Sequence, residues 1–361
     1  MEGGTTALAT LALLNSGIPA DDPAMRAARQ AVRRIPLRHT YVVALKIQAL
    51  AAADPVGYQA EIRAAADWLI DAMQRDGMWT YSEAPGVTDF SNSQFAMLGL
   101  YEAARAGANI PDGVWRKAEA ALLSAQHRDG HWSYRPGTNT SPLSMTCACL
   151  ASLYITGNAI TSRREAGFTA DGQAPRCGKY AEYRPIVHAF SWLAKNLALR
   201  PGEQPQFQFY YLYTVERVGM IAGIQRIGSV DWYRRGAVVL VASQAADGHW
   251  QQFHPIVDTS FALLFLAKGR RPILINKLAW SDDFRWNLDR NDAAHLIGFI
   301  GDQIGGPFSW EAVHVGMRLE NWQRAPILYF QGHEFPVFRP DHVTKLQQYV
   351  EQGGTLLVEA C

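Results

Sequence analysis

The sequence has few cysteines, almost no net charge and no long apolar run. Four cysteines in 361 residues are too few for a disulfide scaffold. A formal net charge of +1, with one short basic run at 268–271, argues against a nucleic-acid partner. No apolar run reaches the roughly 18–20 residues of a membrane helix, and the N-terminus lacks the positive charge that opens a signal peptide. We therefore predict a soluble chain without a transmembrane segment, of unknown compartment.

Motifs for a cofactor or a metal are also missing. The sequence has no glycine-rich phosphate loop and no dinucleotide fingerprint. Cys147 and Cys149 lie two residues apart in a predicted helix, so their side chains point about 200° apart and cannot easily share one metal ion. We interpret both as buried core thiols. The prediction is a protein without a cofactor and without a metal site.

Tryptophan is frequent instead, and three of the 11 tryptophans end the same four-residue pattern. Asp-Gly-x-Trp occurs at 76–79, 129–132 and 247–250. Each copy follows an amphipathic helical pattern and precedes an apolar one. The second and third copies lie about twice as far apart as the first and second, which indicates one unit between them that lacks the pattern. A period of this size is typical of stacked helical repeats.

Each residue of the pattern has a structural role in such a repeat. Aspartate and glycine favour a turn after an outer helix, and tryptophan fills the gap between neighbouring hairpins. An inner helix that is packed on both sides is apolar nearly all round. We therefore interpret these nine residues as structural: Asp76, Gly77, Trp79, Asp129, Gly130, Trp132, Asp247, Gly248 and Trp250.

The patterns predict six inner and five outer helices. The predicted inner helices are 5–15, 39–53, 89–104, 141–155, 207–223 and 258–267. The predicted outer helices are 24–34, 58–74, 114–126, 186–199 and 232–246. One outer helix is missing at the start, where 3–6 resembles the end of a loop that leads into an inner helix. We expect a fragment, or a ring that is left open.

Residues 1–268 resemble the repeats of the squalene cyclase and protein prenyltransferase superfamily, through the three Asp-Gly-x-Trp loops and inner helices such as 258–263. The resemblance implies a mainly α fold, an α/α toroid of about six hairpins. It says little about function, because one fold hosts many functions.

Residues 269–361 follow a different pattern. The apolar segments 272–278, 325–330 and 355–358 read as strands, and 292–305 and 339–352 as helices, which together predict a parallel α/β sheet. Through 272–275, 325–329 and 353–357 the segment resembles the start of a bacterial domain of unknown function, DUF4159. The resemblance implies a distant likeness to the glutamine amidotransferase fold. The chain stops just after a strand, so we expect this domain to be truncated.

The candidates for chemistry are few. Squalene-type cyclases need an Asp-x-Asp-Asp cluster on an inner helix, and this sequence has none. Asp258 is the nearest match in position, and we interpret it as a helix N-cap; with His254 it is also a weak candidate for an acid/base pair. In the second domain Gln331, His333 and Glu334 follow a strand, where α/β sheets place ligand loops.

Two functions follow, of different classes. The repeats without a catalytic set predict a non-catalytic toroid that binds an unknown ligand or protein partner, and this was our main prediction. The alternative is an enzyme in the toroid cavity, either terpene-cyclase-like or a carboxylate-dependent hydrolase or lyase. The aromatic residues that would line such a cavity are Tyr41, Phe95, Tyr210, Tyr211 and Phe261. A purely structural scaffold is the third interpretation.

Overall fold

The chain forms two compact units. The computed structural model describes residues 3–140, 142–164, 183–200, 203, 205–267, 271–304, 308–332 and 334–360. The first unit comprises Met1–Ile160, Pro185–Val218 and Ile227–Lys268, and we call it the helical unit. The second comprises Thr161–Arg184, Gly219–Arg226 and Gly269–Cys361, and we call it the α/β unit.

Apolar inner helices alternate with more exposed outer helices along the helical unit. The inner set is α1 (Gly4–Asn15), α3 (Thr40–Ala53), α5 (Phe90–Arg105), α7 (Pro142–Arg164), α9 (Gln208–Ile221) and α11 (Pro255–Ala267). The outer set is α2 (Pro23–Arg33), α4 (Gln59–Asp71), α6 (Asp112–Ala125), α8 (Arg184–Asn196) and α10 (Trp232–Ser243). A short hairpin of β1 (Arg226–Ile227) and β2 (Val230–Asp231) precedes α10. The predicted helices are confirmed within a few residues, except that α7 extends to Arg164.

Local sequence explains these elements. The outer helix α2 begins with Asp22, whose carboxylate accepts hydrogen bonds from the amides of Ala24 and Met25, and with proline at its first position. The inner helix α3 has one charged residue, Lys46, and its ammonium donates to the carbonyls of Arg33 and Ile35 at 2.8 Å. Arg33 is the last residue of α2 and Ile35 lies two residues beyond it, so a buried lysine stabilises the C-terminal end of the neighbouring helix.

The inner helices are joined by side-to-side packing and by hydrogen bonds from the loops that precede them. Helix α1 packs against α3 and also against α11, although α1 and α11 lie at opposite ends of the unit in sequence. The loops before the inner helices are hydrogen-bonded to one another. Thr40 N donates to Tyr81 O at 3.0 Å and Phe90 N donates to Tyr134 O at 3.1 Å. Each of these loops therefore supports the start of the inner helix before it.

The three Asp-Gly-x-Trp loops share one set of hydrogen bonds. In each, the indole Nε1 donates to the carbonyl ten residues earlier, at 2.7 to 2.8 Å, from Trp79 to Leu69, from Trp132 to Leu122 and from Trp250 to Leu240. All three indoles are buried. Each glycine has a φ between 85° and 102°, a conformation that side chains rarely adopt. The loop thus ends the outer helix and anchors its tryptophan under that helix.

A four-stranded parallel sheet forms the centre of the α/β unit. The strands are β3 (Ile273–Ala279), β4 (Ser309–His314), β5 (Ile327–Gly332) and β6 (Thr355–Ala360), in the order β4-β3-β5-β6. The helices are α12 (Asp292–Ile304), α13 (Leu319–Trp322) and α14 (Pro340–Glu351), and a 3-10 helix spans Phe284–Asn287. Three of the strands were predicted. Strand β4 was missed because its sequence, SWEAVH, contains no apolar run longer than two residues.

Within the residues that the structure describes, one helical segment meets the length and composition of a membrane span. It is Pro142–Ile160 in α7, with a mean hydropathy of 1.4, and 83% of it is buried inside the fold. The prediction that no apolar run reaches the length of a membrane helix is wrong for this segment. Its burial is that of a core helix, since the inner helices of this unit are covered on several sides.

Candidate functional site

Aromatic side chains from four inner helices form one cluster. The Tyr41 ring of α3 lies 4.7 Å from the Phe95 ring of α5, measured between centroids. Phe95 stacks with Tyr210 and Tyr213 of α9, at 6.2 and 6.0 Å. Tyr213 in turn lies 5.0 Å from Phe261 of α11. The cluster therefore joins helices that are far apart in sequence.

One predicted member of the cluster is replaced by another residue. The Tyr211 hydroxyl accepts a hydrogen bond from Ala198 N at 3.2 Å, so this side chain faces the segment that follows α8. Tyr213 lies in the cluster instead. Successive residues of a helix differ by about 100° in direction, so neighbours such as Tyr210 and Tyr211 cannot both face the same inner partners.

A buried carboxylate lies beside this cluster, at the N-terminus of α5. Asp89 is 0% exposed and caps the helix by accepting from Asn92 N at 2.8 Å. It also accepts from Asn92 Nδ2 at 2.8 Å and from Ser91 Oγ at 2.7 Å. From its sequence context Asp89 is predicted only as the first residue of a helix, because nothing local distinguishes it from any other N-cap.

A series of hydroxyl groups leads from this carboxylate to the surface. The Tyr41 hydroxyl donates to Ser91 Oγ, and Ser91 also interacts with Tyr134. The Tyr134 and Tyr81 hydroxyls are 3.0 Å apart, and Tyr81 is 46% exposed. Burial raises the pKa of Tyr41 and of Tyr134 above the usual value for tyrosine. Both therefore remain neutral phenols, which can donate and accept protons along the series.

Asp258 and His254, the predicted acid/base candidates, have different contacts. Asp258 Oδ2 accepts from the backbone amides of Gln252, Phe253 and His254, at 2.7 to 3.0 Å. Asp258 lies within α11, and the amides that it binds precede the helix, so it is not the N-cap that we expected. The His254 side chain is exposed. The structure links the two residues through the His254 backbone amide, and the carboxylate holds the loop in place.

The two cysteines of α7 are buried free thiols. Cys147 and Cys149 are 0% and 1% exposed. Burial raises the pKa of each thiol. A thiolate, the form that binds metal, is therefore disfavoured at both positions. Within the part of the chain that the structure describes, no group of three or more metal-ligating residues occurs.

The carboxyl edge of the α/β sheet carries a second set of polar residues. Strand β3 has β4 on one side and β5 on the other, and the loops after β3 and β5 meet at this reversal of strand order. Trp280 Nε1 donates to Gln331 O at 3.1 Å, and Arg285 pairs with Glu334 at 3.7 Å. Of the predicted ligand loop, Gln331 and Glu334 lie here, whereas His333 lies outside the described residues.

A buried lysine holds the loop that follows β3. Lys277 is fully buried, and its ammonium donates to the Asp292 carboxylate at 2.6 and 2.7 Å, to Asn287 Oδ1 at 2.8 Å and to Asp289 O at 2.6 Å. Burial lowers the pKa of Lys277, and the Asp292 carboxylate opposes that shift. All hydrogens of the ammonium have acceptors, so this residue ties the loop to the start of α12.

Comparison with known proteins matches the C-terminal segment to a family. Residues 275–361 match the family model described as a domain of unknown function, DUF4159. No curated protein matches the chain. Several solved structures are similar to it. A variant of the type II terpene cyclase MstE from Scytonema, in complex with the substrate geranylgeranyl dihydroxybenzoate, has a TM-score of 0.44 and 12% identity, over 73% of this chain and 86% of that one.

Two further solved structures belong to proteins of the same kind. The apo form of MstE has a TM-score of 0.42 and 13% identity, over 74% of this chain and 88% of that one. The ent-copalyl diphosphate synthase from Streptomyces platensis has a TM-score of 0.30 and 17% identity, over 74% of this chain and 50% of that one. These proteins are enzymes, and our main prediction of a non-catalytic binding protein is corrected on this finding.

Proposed function

We propose that the helical unit is a terpene-cyclase-like enzyme, in which Asp89 exchanges a proton with an apolar, unsaturated substrate at the aromatic cluster. The observation that carries the proposal is the position of a fully buried carboxylate beside the rings of Tyr41 and Phe95. The aromatic side chains come from α3, α5, α9 and α11 of a predicted toroid, so they would surround the axis of the ring.

Two physical effects support this chemistry. The faces of aromatic rings carry negative charge density and attract a cation that develops on an apolar substrate. In its protonated form Asp89 can donate its proton to an alkene of the substrate, and the carboxylate that remains adds a stronger electrostatic stabilisation of the resulting cation and can remove a proton from it in the last step. The hydroxyl series from Ser91 to Tyr81 provides a route by which Asp89 could be reprotonated from solvent.

Exposed aromatic residues favour an apolar substrate over the hydrolase or lyase alternative. The Phe207 and Phe253 rings lie 4.8 Å apart, in the loops before α9 and α11, and are 48% and 57% exposed. Gln208 N and Gln252 Oε1 join these two loops at 2.9 Å. Exposed phenylalanines next to the N-terminal ends of inner helices provide a surface on which a hydrocarbon chain could bind.

The test is the substitution Asp89→Asn. Asparagine is as good an N-cap as aspartate, so α5 should still form and the fold should be kept. The full chain is incubated with polyprenyl diphosphates and polyprenylated phenols in D2O, and products are analysed by mass spectrometry. We expect a cyclised product that contains one deuterium, and a loss of about 10²–10⁴-fold in rate for the variant.

Tyr211→Phe is the matched control, because Tyr211 is a buried tyrosine of α9 outside the cluster. It should keep the activity, whereas Tyr41→Phe should reduce it. Product formation at the same rate by wild type and Asp89→Asn would refute the role of Asp89.

For the α/β unit we infer a ligand site at the carboxyl edge, close to Gln331. The side chain of Gln331 is 3% exposed, and its Nε2 has no hydrogen-bond partner within the described ranges. A buried donor without an acceptor costs about 1–3 kcal/mol, which a bound carbonyl, carboxylate or phosphate oxygen would offset. The distant likeness to the glutamine amidotransferase fold, which also uses this edge, is part of this proposal.

Gln331→Met tests the site by two measurements. We expect the substitution to raise the free energy of unfolding of the ligand-free protein by about 1 kcal/mol, because the unpaired donor is removed. Small carboxylates and phosphate should then stabilise the wild type in thermal melts but not the variant. A variant that is less stable than wild type would show that the amide is satisfied and that the site does not exist.

A further inference from the structure

The three Asp-Gly-x-Trp loops differ in what covers them. Gly77 and Gly130 are buried, whereas Gly248 is exposed. A Cβ atom at Gly77 would lie 2.5 Å from the carbonyl oxygen of Lys117 in α6, and one at Gly130 would lie 2.4 Å from that of His188 in α8. In both cases the next outer helix of the chain sits directly on the glycine. At Gly248 the nearest atom among the described residues is 3.9 Å away and belongs to Gln244, which directly follows α10.

The contact between the second loop and α8 has three parts. Gln126 Nε2 donates to Pro185 O at 2.9 Å, Gly130 lies against the His188 carbonyl, and the His131 ring stacks on Trp192 at 5.1 Å. On α8 these three groups are spaced by three and four residues. They therefore lie along one face of the helix, which presents two backbone carbonyls and an aromatic ring to the loop.

The third loop has the same internal structure as the second. Gln244 Nε2 donates to Gly248 O at 2.8 Å, as Gln126 does to Gly130 O at 2.9 Å. Gly248 has a φ of 92°. Within the described ranges, however, Gln244 Nε2 has no second acceptor and His249 has no aromatic neighbour. All three attachment points are thus formed; Gln244 and Gly248 are exposed, and His249 is half-buried.

Apolar side chains continue this exposed surface along α10. Val241 is 69% exposed and Val238 is 51% exposed. Val241 follows Leu240, the acceptor of the Trp250 indole, as Leu123 follows Leu122 in the second repeat. Leu123 is only 36% exposed. The two valines and the loop from Gln244 to His249 together define what we call the open face.

We propose that the open face is a docking site for one amphipathic α-helix of another polypeptide, with the chemistry of α8. The docked helix would place a backbone carbonyl on Gln244, the carbonyl three residues later on Gly248, and an aromatic side chain four residues after that on His249. The proposal continues an interface that the chain already makes within itself, between its second loop and α8. It does not depend on the catalytic proposal, because none of its residues belongs to the aromatic cluster.

The probe is a labelled peptide with the sequence of Arg184–Asn196, added to the full chain and followed by fluorescence anisotropy. A free helix of this length is marginal in water, so the peptide is cross-linked between the positions of Val187 and Ser191, which are both exposed in α8. We expect saturable binding. A peptide in which the tryptophan at position 192 is replaced by alanine should bind about tenfold more weakly or worse.

Variants of the protein test whether the peptide binds at the open face. Gly248→Ala and Val241→Glu should each weaken binding of the peptide by about tenfold or more. Gly137→Ala is the matched control, since Gly137 also has a positive φ, of 74°, and has no atom within 4 Å of its Cβ position. It should bind as wild type does.

Three results would overturn the proposal. They are the absence of saturable binding, equal binding of the peptides with tryptophan and alanine, and binding that Gly248→Ala and Val241→Glu leave unchanged. Sedimentation of the chain alone is a further check. Self-association that Val241→Glu abolishes would show that a second copy, not a helix of another protein, occupies the open face.

Discussion

A single indole nitrogen ties each repeat loop to the outer helix that precedes it. The Nε1 of Trp79, Trp132 and Trp250 reaches a carbonyl in the last turns of α4, α6 and α10. These carbonyls are among those that a helix end leaves without a partner in the helix. Tryptophan therefore fills volume and supplies a hydrogen-bond donor at the same point, whereas phenylalanine would supply the volume alone.

The contribution of the indole's apolar volume and that of its hydrogen bond can be measured separately at Trp132. Trp132→Phe keeps most of the apolar volume but leaves the buried Leu122 carbonyl without its donor, so we expect a loss of about 1–3 kcal/mol in the free energy of unfolding. Trp132→Ala also opens a cavity and should cost about 3–5 kcal/mol. Chemical denaturation of the two variants measures both. Equal losses would show that the hydrogen bond contributes nothing.

At the scale of elements, glycine decides how closely neighbouring hairpins approach. The loop that carries Gly130 lies against the backbone of α8, and the loop that carries Gly77 lies against that of α6. A side chain at either position would meet a carbonyl oxygen that cannot move without its helix. The repeat therefore requires glycine for two reasons, the positive φ and the contact.

The cost of the positive φ and the cost of the close contact can be measured separately by substituting Gly248 and Gly130. Gly248→Ala should lower the free energy of unfolding by about 1–2 kcal/mol, which is the cost of placing alanine at a positive φ, because the space around Gly248 is open. Gly130→Ala adds the clash with the His188 carbonyl and should cost about 2–5 kcal/mol in total. Thermal melts of both variants and of wild type provide the comparison. A loss at Gly248 as large as that at Gly130 would mean that the third loop is also covered in solution.

At the scale of the whole molecule, each unit is stabilised by its own contacts. The α/β unit has apolar cores around Leu278, Trp322 and Leu328 and around Ile275, Trp310 and Tyr329. Lys277 and Asp292 form its buried ion pair. Removing one member of such a pair leaves the other charge buried without compensation.

Lys277→Met should therefore destabilise the α/β unit by about 3–5 kcal/mol. Hydrogen exchange read by mass spectrometry should show faster exchange in peptides from β3, β5 and α12, and unchanged exchange in α3 and α5. Arg285→Met is the control, because Arg285 is 54% exposed in its ion pair with Asp283 and such pairs contribute little. Uniformly faster exchange in both units would contradict a local effect.

Local sequence patterns specify the helices, strands and loops of this protein. The alternation of apolar and amphipathic helices and the position of each loop follow from periodicity and from the Asp-Gly-x-Trp pattern, which act within about a dozen residues. The strands β3, β5 and β6 were equally readable as short apolar runs beside turn residues. In the candidate sites the aromatic residues of the inner helices could be named, although not which of Tyr210, Tyr211 and Tyr213 face one another.

The composition of the candidate sites could not be predicted from the sequence, because it depends on contacts between residues that are distant in the chain. Asp89 became a candidate catalytic residue through Tyr41 of another helix and Tyr134 of another loop. Asp258, which looked similar in sequence, binds three amides of its own loop instead. The open face at Gly248 exists because, among the residues that the structure describes, no outer helix covers the third loop as α8 covers the second. A local pattern specifies a turn or a cap, but the partner that a side chain meets is set by how the helices pack.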